Sequence, residues 1–210
     1  MLDNWLIKSK LEKSVEKVVK NAFLGKISPN QMTLLGLFFG MLSTVFIFLS
    51  GFNSWSVLFI ALGVTFMVIS FVFDAFDGIL ARLSETSKFG GILDMFCDRT
   101  VETFIIIGII STNPTLLMWP GIFSLASIIL CITMFLVVGG TVKVEELEKP
   151  QKIIYYRKGL MERSETFLFL LVIILIIALR WLLLWIFSGL IFLTAFLRLY
   201  DAYKIFNPSR

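Results

Sequence analysis

Apolar residues dominate the chain after residue 27 and are interrupted by short polar connections. A helix needs about 20 consecutive apolar residues to cross a bilayer, and six runs approach this length. We predict membrane-spanning helices at about 31–50, 55–74, 91–111, 116–138, 165–180 and 183–204. The fifth and sixth are nearly continuous and are divided only around Arg180. The pattern predicts an all-α integral membrane protein with six transmembrane helices.

The first 26 residues follow a different pattern, in which apolar positions recur three and four residues apart with lysines between them. This spacing is typical of an amphipathic helix that lies in the membrane interface, because it is too charged to span the bilayer. A soluble helix packed on another element is the alternative. Ser28, Pro29 and Gln31 then predict a capped helix start. We expect residues 1–26 to form a juxtamembrane helix and residues 27–210 the six-span domain.

Composition narrows the chemistry that such a protein could perform. The chain is 58% hydrophobic and 16% charged, whereas soluble domains are about a quarter charged. It contains no histidine, which excludes histidine general bases, Ser-His-Asp triads and histidine-bound metals. Cys97 and Cys131 are isolated, so neither a cysteine-rich zinc site nor a disulfide framework is expected. Catalysis would need carboxylates, Lys, Arg, hydroxyls or a metal held by oxygen.

The distribution of Lys and Arg predicts the orientation in the membrane. Basic residues are concentrated in the amino-terminal segment, the connections 75–90 and 140–164, and the carboxyl terminus. The loops near 51–54 and 112–120 contain none, and only Arg180 falls on their side. Since cytoplasmic loops are enriched in basic residues, we expect a multi-pass cell-membrane protein with both termini in the cytoplasm.

Four carboxylates lie at the facing ends of the second and third predicted spans. Asp74 and Asp77 are three residues apart, and Asp94 and Asp98 are four apart, so each pair shares one helix face. A short connection lets the pairs meet, where they would repel one another unless a cation neutralised them. Mg²⁺ or Mn²⁺ prefers oxygen ligands, and two such ions suit displacement at phosphorus.

Small and basic residues accompany these acids. Gly78 and Ala81 are small, so a ligand could approach the backbone closely on one helix face, and Gly90 has the same effect at the start of the next span. Arg82 could form two parallel hydrogen bonds to a phosphate. Structural ion pairs or a divalent-cation transporter remain alternatives for the acids. An arginine beside the carboxylates favours a diphosphate site, because a cation path gains nothing from it.

These residues resemble the signature of the CDP-alcohol phosphotransferases, D-x2-D-G-x2-A-R-x8-G-x3-D-x3-D. Every fixed position is present, but seven residues instead of eight separate Arg82 from Gly90. We expect this shorter interval to shift a loop and leave the acids in place. The matching positions are Asp74, Asp77, Gly78, Ala81, Arg82, Gly90, Asp94 and Asp98.

The resemblance implies a membrane enzyme that cleaves a CDP-alcohol, releases CMP and joins the remaining phosphoryl group to an acceptor hydroxyl. It implies metal ligation by Asp74, Asp77, Asp94 and Asp98, with Asp98 also the general base. Two ions, Mg²⁺ or Mn²⁺, and a homodimer are implied as well. The implied CDP contacts are Asn30, Thr33, Asp74, Asp77, Gly78, Ala81, Arg82, Ser87 and Gly90.

Three further basic residues suggest the acceptor. Lys143 ends the fourth predicted span, Arg163 begins the fifth and Arg198 lies inside the sixth. Three cations converging at cytoplasmic helix ends could hold a phosphate, and this arrangement is similar to the phosphatidylinositol-phosphate synthase branch. The alternatives are membrane anchoring for Lys143 and Arg163, and an ion pair for Arg198. Arg99 and Glu102 are expected to pair with each other or with residues of neighbouring spans.

We therefore expect a CDP-lipid donor, an inositol phosphate acceptor and an active site on the cytoplasmic side. Glycerol phosphate, serine or an amino-alcohol as acceptor, and CDP-inositol as donor, are the alternatives within the same class. The partners expected are these small polar substrates and the lipid bilayer, with no nucleic acid.

Overall fold

The computed structural model describes residues 10–52, 54–84, 87–148 and 163–206. These ranges are helical throughout, apart from short connections, so the all-α prediction is confirmed for them. The helices are α1 (Lys10–Ala22), α2 (Pro29–Leu49), α3 (Ser56–Leu83), α4 (Lys88–Thr112), α5 (Pro114–Glu148), α6 (Arg163–Leu175) and α7 (Arg180–Phe206). A 3₁₀ turn, Ile177–Leu179, joins α6 to α7.

The prediction of six transmembrane helices is wrong. Within the described ranges, four segments are long and apolar enough to cross a membrane. They are Pro29–Leu49, Ser56–Leu83, Pro114–Thr141 and Ile177–Lys204. The predicted spans at 31–50, 55–74, 116–138 and 183–204 fall on these four.

The other two predicted spans fail for different physical reasons. The one at 91–111 falls on α4, whose first half carries Asp94, Asp98, Arg99 and Glu102, too many charges for an apolar span. The one at 165–180 falls on α6, which is only 13 residues long because the chain leaves the helix before Arg180. A span needs about 20 residues in a helix.

Local capping interactions determine where α2 begins. The Ser28 side chain accepts a hydrogen bond from the Gln31 amide, and the Gln31 side chain accepts one from the Ser28 amide. This is the capping box that the sequence predicts. The preceding helix, α1, packs beneath the start of α2, with Val19 fully buried against Met32 and Leu80. The amino-terminal helix is thereby held next to the end of α3.

Small residues bring α2, α3 and α4 close together. The Ser70 hydroxyl donates to the Gly36 carbonyl at 2.7 Å, and the Ser43 hydroxyl donates to the Gly63 carbonyl at 2.7 Å. A Cβ atom at Gly40 would lie 2.4 Å from Val101 Cγ2. The close approach of α2 to α4 therefore requires glycine at position 40. Because α2 packs against both α3 and α4, it brings the acidic residues of these two helices toward each other.

Arg180, at the start of α7, connects this helix to the ends of α4 and α6. It is buried and is the first residue of α7, so the boundary predicted around it lies between α6 and α7. Its guanidinium donates to the Ile173 carbonyl at 3.2 Å and to the Ile174 carbonyl at 2.8 Å. It also donates to the Thr112 hydroxyl at 3.1 Å, at the end of α4. These bonds satisfy carbonyl groups that the end of α6 leaves without helical partners.

Candidate active site

Three of the four aspartates converge where α3 ends and α4 begins. One carboxylate oxygen from each of Asp74, Asp94 and Asp98 lies within 4.8 Å of the other two. Asp94 and Asp98 are one turn apart on α4, and the α2–α3 and α2–α4 contacts bring Asp74 to them. The shorter interval after Arg82 therefore does not prevent these acids from meeting.

Asp77, the fourth aspartate, is directed toward α2. It is buried, and its Oδ2 accepts a hydrogen bond of 2.7 Å from the Thr33 hydroxyl. The bond joins the start of α2 to the last turns of α3, across 44 residues of sequence. Thr33 and Asp77, both predicted to contact CDP, are thus in direct contact with each other.

The three converging carboxylates have the chemistry of a divalent-cation site. Among the described residues, the buried Asp94 Oδ1 atom has no hydrogen-bond donor. An acceptor without a donor is costly in a buried position, and a bound cation would satisfy it. Clustered carboxylate oxygens are the ligands that Mg²⁺ and Mn²⁺ prefer. These residues therefore fit a hard divalent ion.

Arg163, the first residue of α6, extends into the same cluster. Its guanidinium forms ion pairs with Asp74 and Asp98, and its Nη2 atom lies 3.5 Å from Asp94 Oδ1. The sequence predicts Arg163 as an acceptor ligand, whereas the structure places it among the acids. Its contacts are 65 and more residues away along the chain, so spacing alone could not predict them.

A cavity of about 230 Å³ adjoins the acid cluster. It is lined by two acidic residues, Asp94 and Asp98, and by three arginines, Arg99, Arg163 and Arg198. A smaller cavity of about 60 Å³ lies on the other side, between α2, α3, α4 and α6, and shares Asp98 and Arg163 with the first. The larger cavity can therefore accept an anion beside the candidate metal ligands.

Contacts with α5 hold Arg198 at the wall of this cavity. Its Nη1 donates to the Cys131 carbonyl at 3.0 Å and contacts the Cys131 sulfur at 3.2 Å. Its guanidinium lies over the Phe135 ring, 5.3 Å from the centroid. Among the described residues, no acceptor reaches its buried Nε atom. Lys143 belongs to α5, but its side chain lies outside the described part of the structure.

Arg99 is a cavity residue that the sequence did not single out as a ligand. It pairs with the buried Glu102 at 2.5 Å, which confirms the expected pairing. Only the packing of α4 against α5 and α6, and of α7 against α5, reveals that it shares a cavity with Arg163 and Arg198. The signal available in the sequence was a pair of opposite charges, three residues apart, inside the span predicted at 91–111.

Three further predicted CDP contacts, Asn30, Ser87 and Gly90, lie close together at the start of α4. Ser87 caps α4 by accepting the Gly90 amide at 2.8 Å. A Cβ at Gly90 would lie 2.9 Å from both Ser87 Oγ and Asn30 Oδ1, so these three positions meet. Glycine keeps this approach open.

The remaining predicted CDP contacts lie along α3. A Cβ at Gly78 would meet nothing within 4 Å, so this face of α3 is open to a ligand. Ala81 is half-buried, and Arg82 is exposed. Arg82 lines a cavity of about 160 Å³ with Glu16 of α1. The structure thus places Arg82 toward the amphipathic helix.

Comparisons with known proteins found similar sequences. The family model described as CDP-alcohol phosphatidyltransferase matches residues 26–194. Archaetidylinositol phosphate synthase of Pyrococcus horikoshii is 35% identical over 104 residues, which cover 49% of this chain and 51% of that protein. The chain therefore spans about half the length of this relative. Inner membrane protein YnjF of Escherichia coli is 28% identical over 84% of each chain.

Solved structures show the same fold. Phosphatidylinositol phosphate synthase (PgsA1) of Mycobacterium tuberculosis with CDP-DAG bound aligns with a TM-score of 0.70 at 15% identity, over 93% of this chain and 95% of that one. The same protein in complex with manganese and citrate aligns with a TM-score of 0.71 at 16% identity, over 90% and 88%. Together with the four apolar helices, these relatives indicate a multi-pass membrane protein.

Proposed function

The chain belongs to the CDP-alcohol phosphatidyltransferase family, and from this premise we propose that it transfers the phosphoryl-alcohol group of a CDP-alcohol to an acceptor hydroxyl and releases CMP. The convergence of Asp74, Asp94 and Asp98 is the observation that carries the proposal. Three carboxylates of the signature thus lie within 4.8 Å of one another, beside a cavity large enough for an anion.

The acids have two tasks in this reaction. Asp74, Asp77, Asp94 and Asp98 would hold Mg²⁺ or Mn²⁺, in our proposal two ions, which supply charge neutralisation for the diphosphate. Asp98 accepts the proton of the acceptor hydroxyl, because the chain has no histidine to do so. The hydroxyl oxygen bonds to the phosphorus that carries the alcohol. The bond from this phosphorus to the bridging oxygen breaks, and CMP leaves.

The donor proposed is a CDP-lipid, bound along α3. The positions for the nucleotide are Asn30, Thr33, Asp74, Asp77, Gly78, Ala81, Arg82, Ser87 and Gly90. The contact of Asn30 and Ser87 with Gly90 and the open face at Gly78 support a ligand between α2, α3 and α4. A lipid donor suits a site among apolar helices, because its chains can enter from the bilayer.

The acceptor proposed is an inositol phosphate. Arg163 and Arg198 line the cavity beside the acids, together with Arg99, and several guanidinium groups suit a phosphate monoester. Lys143 completes the proposed acceptor set. The named activities of the archaeal and mycobacterial relatives support an inositol phosphate over glycerol phosphate, serine or an amino-alcohol.

The placement in the membrane is also proposed. Basic residues favour the cytoplasm for both termini and for the site, which lies at the α3–α4 connection. We propose that the juxtamembrane helix within residues 1–26 supports a catalytic unit formed by residues 27–210. We also propose a homodimer.

The test is CMP release from the full chain in detergent with Mg²⁺ and a panel of CDP-alcohols, first with inositol phosphate and then with the other acceptors. The expected result is CMP release together with a phosphorylated lipid product. Absence of release with every donor, combined with divalent-ion flux in vesicles that Asp94→Asn abolishes, would identify a transporter and overturn the proposal.

A further inference from the structure

Arg163 lies at the boundary between the acid cluster and the larger cavity. Its guanidinium pairs with Asp74 and Asp98, yet the residue also lines the cavity that contains Arg99 and Arg198. A guanidinium paired with carboxylates is not free to hold an acceptor phosphate. The two roles of Arg163 therefore exclude each other within one conformation.

Electrostatics explains its place among the acids. Three carboxylates within 4.8 Å repel one another, and the guanidinium offsets that repulsion. The Arg163 side chain is 33% exposed, whereas those of Asp74 and Asp98 are 18% and 15% exposed. The guanidinium is thus more exposed than the two carboxylates that it contacts.

The same oxygen atoms cannot bind both Arg163 and a divalent ion. Arg163 Nη2 contacts Asp74 Oδ1 and Asp98 Oδ1, which belong to the candidate metal ligands. Mg²⁺ would require these oxygens at about 2.1 Å, inside the volume that the guanidinium fills. Binding of the ion must therefore displace Arg163.

The displaced side chain has a place to go. The cavity beside it has a volume of about 230 Å³ and already presents Arg99 and Arg198. Arg163 already borders this cavity, and a guanidinium that turned fully into it would be stabilised by an anion, because Arg99 and Arg198 carry the same charge. Movement of the Arg163 side chain away from the carboxylates and binding of an anion in the cavity therefore favour each other.

We propose that Arg163 is an exchangeable counterion: it neutralises the carboxylates until a divalent cation displaces it, and it then turns into the adjoining cavity to hold the acceptor's phosphate. The inference rests on the proposed function, since it uses both the metal site and the acceptor site. It makes cation binding and anion binding mutually dependent through one side chain.

The first test measures Mn²⁺ binding alone, by titration of the full chain in detergent, without substrates. Arg163→Gln removes the competing cation, so the dissociation constant for Mn²⁺ should fall about tenfold. This factor assumes that Arg163 occupies the site in about nine of ten molecules of the unaltered protein, which leaves about one in ten able to bind the ion. Lys204→Gln is the matched control, because it removes a basic charge that lies over the Tyr200 ring, outside the residues that line the cavity, and it should leave Mn²⁺ affinity unchanged. Unchanged or weaker Mn²⁺ binding by Arg163→Gln would overturn the inference.

Arg163→Lys covers the case in which Arg163→Gln does not fold. Lysine keeps the charge but lacks the two-pronged geometry, so its Mn²⁺ affinity should lie between those of Arg163→Gln and the unaltered protein. Affinity equal to or weaker than that of the unaltered protein would count against the exchange.

The second test measures the coupling itself with inorganic phosphate. In the unaltered protein, saturating Mn²⁺ should tighten phosphate binding by the same factor as phosphate tightens Mn²⁺ binding, because linkage is reciprocal. Arg163→Gln should reduce this factor toward one. An equal factor in both proteins would mean that the ions interact without Arg163, and the exchange would be refuted.

These outcomes are separable from failure of the proposed function. Mn²⁺ and phosphate binding are measured without turnover, so a protein that releases no CMP can still show or lack the exchange. CMP release with normal donor specificity but no effect of Arg163→Gln on Mn²⁺ affinity would reject the exchange alone.

Discussion

At the residue scale, function depends on what each charged side chain meets. The carboxylates of Asp74, Asp94 and Asp98 form one cluster, whereas Asp77 accepts a hydrogen bond from Thr33. The hydrogen bond that Asp77 accepts from the Thr33 hydroxyl orients its carboxylate, whereas the carboxylates of Asp74 and Asp98 contact Arg163. The four signature aspartates are therefore chemically unequal even though the sequence presents them as two similar pairs.

Asp98→Asn should lower the rate of CMP release at least about a thousandfold, since it removes both the proton acceptor and one metal ligand. Steady-state CMP release with saturating donor and acceptor measures the effect. Asp201→Asn, which alters a half-buried aspartate at the end of α7, is the matched control and should keep near-normal turnover. Comparable losses in both variants would argue against a special role for Asp98.

Arg198→Gln should raise the KM for a phosphorylated acceptor about tenfold or more, because a charge-assisted hydrogen bond contributes about 1.5–3 kcal/mol. The KM for the CDP-alcohol should change less than twofold. Initial rates with each substrate varied in turn provide the comparison. Equal losses for donor and acceptor would contradict the assignment of Arg198 to the acceptor.

At the element scale, close helix contacts position the acids. Gly40 lets α2 approach Val101 of α4, and Ser70 ties α3 to α2. At the opposite end, Arg180 joins α6, α7 and α4. The active-site ends of α3 and α4 are thus fixed by contacts distributed along the helices, and small changes at these contacts should reach the site.

Gly40→Ala should lower the melting temperature, because its Cβ would lie 2.4 Å from Val101 Cγ2. Overpacking of this kind costs about 1–3 kcal/mol, which outweighs the helix-propensity gain of about 1 kcal/mol. Gly189→Ala in α7 is the matched control, since its Cβ would meet nothing within 4 Å, and it should not lower the melting temperature. Val101→Ala should rescue Gly40→Ala, and failure to rescue would place the strain elsewhere.

Arg180→Leu should destabilise the fold, because it leaves the Ile173 and Ile174 carbonyls without their side-chain donor. Each unsatisfied buried acceptor costs about 1–3 kcal/mol. Thermal unfolding in detergent measures the loss. Donor and acceptor KM values below the unfolding range should stay normal, and a selective change in either would show that Arg180 also affects the site.

At the scale of the whole molecule, long apolar helices are combined with two helices that are more charged or shorter. Four described segments are long and apolar enough to cross a membrane, whereas the more charged α4 and the short α6 contribute Asp94, Asp98 and Arg163 to the site. Polar residues at membrane depth are tolerated where they face a cavity or one another. The two predicted spans that are not apolar or long enough therefore both contribute to the candidate site, together with Asp74 of α3 and Arg198 of α7.

Removal of divalent ions should abolish CMP release and lower the melting temperature of the whole protein. A ligand present at 100 times its dissociation constant stabilises the folded state by about 2.7 kcal/mol. Restoring Mg²⁺ or Mn²⁺ should recover both properties, which activity assays and thermal unfolding with and without chelator measure. Full activity in chelator would contradict metal-dependent transfer.

Local interactions explain what could be predicted from the sequence. Helical periodicity, the Ser28–Gln31 cap and the signature spacing depend on residues a few positions apart, so all-α structure and the candidate acids could be read from the chain. The number of apolar spans was overestimated, because the average apolar character of 91–111 and 165–180 concealed the charges of α4 and the early end of α6.

Only the tertiary structure decided which charged groups meet. The pairing of Asp77 with Thr33, the entry of Arg163 into the acid cluster and the presence of Arg99 in the larger cavity join residues far apart in the sequence. Such contacts depend on the distance between packed helices and on the direction of each side chain. The sequence determined which chemical groups the protein has, and helix packing determined which of them act together.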